Sequence, residues 1–68
     1  MKFISRVTEE EYEAGDMVYI KLQKQAGLYL KNDAKLIDCF WDNDRICYVF
    51  SRKDTRELYE LWNNHKLT

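Results

Sequence analysis

Between Ala34 and Phe50 the chain reads AKLIDCFW, then DND, then RICYVF, two apolar runs around a short polar break. Runs of this length, rich in aromatic and β-branched residues, read as strands. They predict an antiparallel hairpin over 35–41/45–50. With Asn43-Asp44 as a two-residue turn, Trp41 faces Ile46, Cys39 faces Tyr48 and Ile37 faces Phe50. One face of the hairpin is then wholly apolar: Ile37, Cys39, Trp41, Ile46, Tyr48 and Phe50. A three-residue loop slips the pairing by one and sets Asp38 among Ile46, Tyr48 and Phe50. Burying an unpaired carboxylate there is costly, so a two-residue (or four-residue) connection is preferred, and Asn and Asp tolerate the backbone it needs. Cys39 and Cys47 then point to opposite faces. The second face holds Leu36, Asp38, Phe40, Cys47 and Val49, too apolar to be left in water. The amino-terminal region or a second subunit is expected to cover it.

Helical periodicity lies on either side. Val18, Tyr19, Leu22, Ala26, Tyr29 and Leu30 share one arc of a wheel, which predicts a helix over 17–31 capped by Asp16. Met17–Leu22 is also β-prone, so a strand there is the competing reading. Asp54 and Glu57 have N-cap and N3 spacing ahead of Leu58, Leu61, Trp62 and His65, which predicts a second helix over 54–66. Thr8 and Glu11 match a capping box. Residues 1–16 therefore read as a short strand followed by an acidic helical turn, or as a loosely ordered arm. The sum is one α+β domain over 1–68 of the form (β)-α-β-β-α, its hairpin packed by two helices.

Size sharpens this picture. A chain of 68 residues buries only roughly 60% of its unfolded surface, and small domains commonly need a staple or a second subunit. Ten aromatics supply enough apolar area to argue against disorder. The net charge is −1, which gives the whole molecule no pull toward nucleic acid. The charge is uneven, however. Residues 1–16 set two cations against five acids, a net of −3, and residues 17–36 set four lysines against Asp33, a net of +3. No apolar run approaches the ~20 residues that span a bilayer. The opening MKFISRV meets Glu9, Glu10 and Glu11 before any apolar core develops, unlike a signal peptide. A cytoplasmic protein with two reduced thiols and no membrane association is expected.

Candidate chemistry is sparse. The single histidine, His65, ends an amphipathic helix, where packing or capping is its expected role. Cys39, Cys47 and His65 are too few for a four-ligand zinc site. There is no glycine-rich phosphate loop and no recognisable nucleophile setting. The expectation is thus no enzyme, no catalytic residue, no metal and no cofactor. Lys21, Lys24, Lys31 and Lys35 beside Phe40 or Tyr48 keep a nucleic-acid-binding accessory or regulatory protein as the alternative. Protein interaction is preferred, with a homodimer as the simplest assembly and a host or element-encoded protein as a further partner. The candidate surface comprises Leu36, Phe40 and Val49 on the under-covered face, with Met17, Ile20 and Leu28 off the main helical arc.

From Tyr19 onward the pattern of Ala26, Tyr29 and Leu30, then Lys35-Leu36-Ile37, Tyr48-Val49-Phe50, and Thr55, Glu57, Leu58 and Trp62 resembles small domains of unknown function from phages and mobile elements of Gram-positive bacteria. The match covers about two thirds of the chain and rests on packing positions. Asp33-Ala34 stands where that family often has a glycine before the strand. The resemblance implies a genomic setting, an accessory protein of a phage or mobile element, and carries over no activity and no site residue.

Overall fold

In the computed structural model, which describes residues 1–68, the chain forms β1 (Lys2–Ile4), β2 (Glu11–Glu13), a 3-10 turn (Ala14–Asp16), β3 (Met17–Ile20), α1 (Gln23–Lys31), β4 (Leu36–Asp42), β5 (Arg45–Ser51) and α2 (Arg52–Asn63). The class is α+β, and every strand pairing is antiparallel. A three-stranded sheet in the order β3-β5-β4 forms the middle layer, and β1 and β2 make a separate hairpin. Helices lie on one face of the sheet and the β1–β2 hairpin on the other.

The turn at Asn43-Asp44 has two residues, and Asn43 takes the positive φ of 60°. Asp42 pairs with Arg45, Trp41 with Ile46, Phe40 with Cys47 and Cys39 with Tyr48. The expected register therefore holds from the turn through Asp38, which sits opposite Val49, and then breaks. A bulge at Ile37 then places Leu36, in place of Ile37, opposite Phe50. One extra residue reverses the facing of everything beyond it. Leu36 thus joins the helix-side face that Ile37 was expected to occupy.

Two expected elements change. Met17–Ile20 is a strand, so the first helix runs over Gln23–Lys31 and not 17–31. Its partner strand decides this: Val18 sits opposite Phe50 and Ile20 opposite Tyr48, so pairing to a buried strand outweighs helical periodicity. Glu11–Glu13 is likewise a strand and not an acidic helical turn, since Phe3 pairs with Tyr12 across the first hairpin. The Thr8 hydroxyl accepts from the Glu10 N–H at 3.3 Å inside the connecting loop, so it caps no helix.

The core lies between sheet and helices. Ala26, Tyr29, Ala34, Phe50 and Leu67 are buried together, flanked by Val18, Ile20, Leu28, Leu36, Tyr48, Leu58 and Trp62. Tyr29 meets Phe50 edge to face at 5.4 Å between ring centroids, the preferred geometry of two quadrupoles. The Tyr29 hydroxyl accepts from Gln25 Nε2 one turn earlier at 3.0 Å, which lets a buried amide stay paired. No cap side chain and no first-turn acid supports α1, so packing of Ala26 and Tyr29 carries this helix.

Both helices end in the same motif. Ala34 N–H bonds Tyr29 C=O and Asp33 N–H bonds Leu30 C=O; after α2, Lys66 N–H bonds Leu61 C=O and His65 N–H bonds Trp62 C=O. These are Schellman closures, with Asp33 (φ 70°) and His65 (φ 57°) in the left-handed position usually held by glycine. The second helix therefore spans Arg52–Asn63 and not 54–66. Asp54 is not its N-cap. Its carboxylate accepts the Lys35 N–H at 3.1 Å and ties the helix to the start of β4. The sharp closure at His65 returns the chain, so Leu67 enters the core where His65 was expected to pack.

Candidate interaction surfaces

The second face of the sheet is covered by the β1–β2 hairpin, and a buried carboxylate organises that contact. Asp38 is 3% exposed. One of its oxygens accepts the Arg6 and Cys39 N–H groups, both at 2.9 Å, and the other accepts the Tyr12 hydroxyl at 2.8 Å. Ser5, also buried, donates its hydroxyl to the Ile37 carbonyl and accepts the Val7 and Thr8 N–H groups at 3.0 Å. The bulge thus has its extra carbonyl satisfied by Ser5, while the next side chain, Asp38, collects donors from both layers. Arg6 lies over the Phe40 ring at 5.7 Å from its centroid. Burial, followed by the hydrogen bond to Asp38, pushes the Tyr12 hydroxyl up to about 12. Burial likewise raises the Cys47 thiol. Ionisation is suppressed at both groups, as befits structural positions.

The six residues expected to form an interaction surface are not brought together. Val49 is fully buried within the chain, and its availability as a surface residue is corrected accordingly. Phe40 is half-buried beneath Arg6 on that same face. Leu36, Ile20 and Leu28 belong to the margin of the core on the helix side. Met17 is half-buried at the start of β3. For Val49 and Phe40 the cause is the hairpin of residues 2–13, the first of the two covers expected there, the amino-terminal region or a second subunit.

A different apolar patch stands open at the tip of the β4–β5 hairpin. Trp41 is 71% exposed, Ile46 directly across from it is 38% exposed, and Leu22 just before α1 is 53% exposed. Both Trp41 and Ile46 were expected in the core. The shortening of α1 uncovers them: nine residues of helix reach roughly 14 Å, whereas a seven-residue strand reaches roughly 23 Å. A shallow depression lined by Lys21, Leu22, Trp41, Arg45, Ile46 and Tyr48 surrounds the patch. Lys21 and Asp42 pair at 2.5 Å beside it, and that contact holds the Lys21 ammonium above its ordinary pKa. The sequence carried a signal for this patch, namely tryptophan next to the turn, where a strand outruns its cover.

Other expected features separate in space. Phe40 and Tyr48 lie on opposite faces of the sheet, so they form no common stacking platform, and Lys21 is engaged with Asp42. Cys39 and Cys47 are free thiols on opposite faces. No cluster of three or more His, Cys, Asp and Glu side chains is assembled in metal-binding proximity. No helix is long and apolar enough to cross a membrane. Comparison with known proteins finds no family model, no curated protein and no solved structure that matches this chain.

Proposed function

We propose that this chain is a non-enzymatic protein-interaction module that self-associates as a homodimer, an accessory protein of phage or mobile-element type working in the cytoplasm. The observation that carries the reading is the largely exposed indole of Trp41 at the hairpin tip, with Ile46 across from it and Leu22 beside it. Tryptophan is enriched at interface centres because its large, stiff ring buries much area at little entropic cost. The surrounding charges suit a two-fold contact. Lys21 and Arg45 stand beside Asp42 and Asp44, a rim of both signs that avoids like-charge repulsion between two copies. The free thiols accord with a reducing compartment. The genomic setting rests on the resemblance alone, and the genes beside this one would test it.

Sedimentation across a concentration series tests the assembly. The expected result is a mass that rises with concentration in the parent protein and stays monomeric in Trp41→Ala. A parent protein that remains strictly monomeric at every concentration removes self-association from the proposal. Retention on DNA or RNA at low salt, lost as salt rises, would instead support the nucleic-acid alternative.

A further inference from the structure

A second surface, built on other residues than the hairpin-tip patch, has the makings of a peptide site. β3 is an edge strand, bonded to β5 on one side only. Its register is unbroken, and Met17, Val18, Tyr19 and Ile20 include neither a lysine nor a proline. Lysine, proline and bulge are thus missing from it as edge protection. At four residues it is short, and its Met17 N–H bonds the Ala14 carbonyl, so the open part of the edge lies over Val18–Ile20. The one side-chain group that reaches the β3 backbone is the Arg52 guanidinium, which donates to the Met17 carbonyl at 3.3 Å.

Beside this edge runs a groove of about 450 Å³ between β3 and α2. Val18 and Ile20 line it from the sheet, Tyr29 and Tyr59 from the helices, and Arg52 and Arg56 carry its only charges. Its two walls match in length: Arg52 to Tyr59 rises roughly 10 Å along the helix, and four residues of strand extend roughly as far. Lys53 extends the basic character beside Asp16, while Asp54 and Glu57 line the neighbouring depression with Lys53 and Arg56. Arg52 and Lys53 in the first turn oppose the helix dipole, and neither they nor Arg56 form a salt bridge within the chain. Arg52 already donates to the Met17 carbonyl, and Lys53 and Arg56 keep their donors free for a ligand.

We infer that the β3 edge and this groove bind an extended acidic segment of a partner protein by strand addition. Backbone groups of the segment continue the sheet beyond Met17–Ile20. Alternate apolar side chains enter the groove, and the acidic ones meet Arg52 and Arg56. Charge decides the occupant. A second copy paired edge to edge through β3 would bring two basic rims together, whereas an acidic strand neutralises one. This inference goes beyond the self-association reading and uses other residues, so the Trp41→Ala sedimentation result neither supports nor weakens it.

The test is a titration of ¹⁵N-labelled protein at low salt with a blocked hexapeptide of alternating glutamate and valine. Amide shifts are expected at Met17–Ile20 and along Arg52–Tyr59, with a dissociation constant of about 1 mM or tighter. Two N-methylated versions, altered on odd or on even residues, isolate the ladder: one is expected to lose binding and the other to keep it. The double substitution Arg52→Glu with Arg56→Glu should weaken binding roughly tenfold, and a lysine–valine hexapeptide should not bind. Because the N-methylated peptides leave the protein intact, they decide the question even if the double variant fails to fold. Absence of shifts near the edge, or equal binding of both N-methylated peptides, overturns the inference.

Discussion

The Tyr12 hydroxyl donates to Asp38 at 2.8 Å and joins the amino-terminal hairpin to the central sheet across 26 residues of sequence. The acceptor is a buried carboxylate that also takes two backbone N–H groups, so removing it strands donors in both layers. Asp38→Ala is expected to destabilise by about 2–3 kcal/mol and Tyr12→Phe by about 1.5 kcal/mol, the ordinary range for bonds to a charged group. Urea denaturation of the two single variants and the double variant checks this. Fully additive losses would contradict a shared bond.

The same pair governs alkaline stability. Tyr12 keeps its proton to about 12 in the folded state, against an ordinary value of 10. Between those values the unfolded chain has lost a proton that the folded chain retains, so stability is full below pH 10 and falls as pH rises toward 12. Thermal melts from pH 9 to 12 should therefore show a steeper decline in the parent than in Tyr12→Phe. Parallel profiles would mean that the hydroxyl is not held as described.

Glycine is absent where the backbone favours it and present where it does not. Asp33 and His65 occupy left-handed positions that cost an ordinary residue about 1 kcal/mol. Gly27 lies inside α1, and a Cβ added there meets nothing within 4 Å. His65→Gly and Gly27→Ala are each expected to stabilise by about 0.5–1 kcal/mol. Chemical denaturation of each variant is the check, and a loss of stability in His65→Gly would argue against the Schellman closure.

The thiols should differ in reactivity. Cys47 is buried with its ionisation suppressed, while Cys39 is only half-buried on the opposite face. A colorimetric thiol reagent is expected to modify Cys39 first and Cys47 only as the sheet opens. Oxidation should give no intramolecular disulfide. A bridged monomer would contradict the register.

Exposure at the hairpin tip predicts a contrast in stability. Trp41→Ala should leave monomer stability within about 0.5 kcal/mol, because the ring is largely in water already. Val49→Ala, fully enclosed one face away, should cost roughly 1–3 kcal/mol. Denaturation at a concentration where the parent is monomeric separates the two.

Local pattern alone determined the α+β class, the two-residue turn at Asn43-Asp44, the pairing from Asp42 to Asp38 and the opposed facing of the thiols. Those features rest on side-chain alternation and turn chemistry, which neighbouring residues specify among themselves. Tertiary structure decided the rest. Met17–Ile20 has an amphipathic helical wheel and a β-prone composition at once, and the buried strand β5 chose between them. The bulge at Ile37 was hidden because its carbonyl and the Asp38 carboxylate are satisfied by Ser5, Arg6 and Tyr12, more than twenty residues away. The shortened helix then uncovered Trp41, and the folded hairpin of residues 2–13 enclosed Val49. Burial of a side chain depends on what arrives from elsewhere in the chain, and periodicity within a segment does not carry that information.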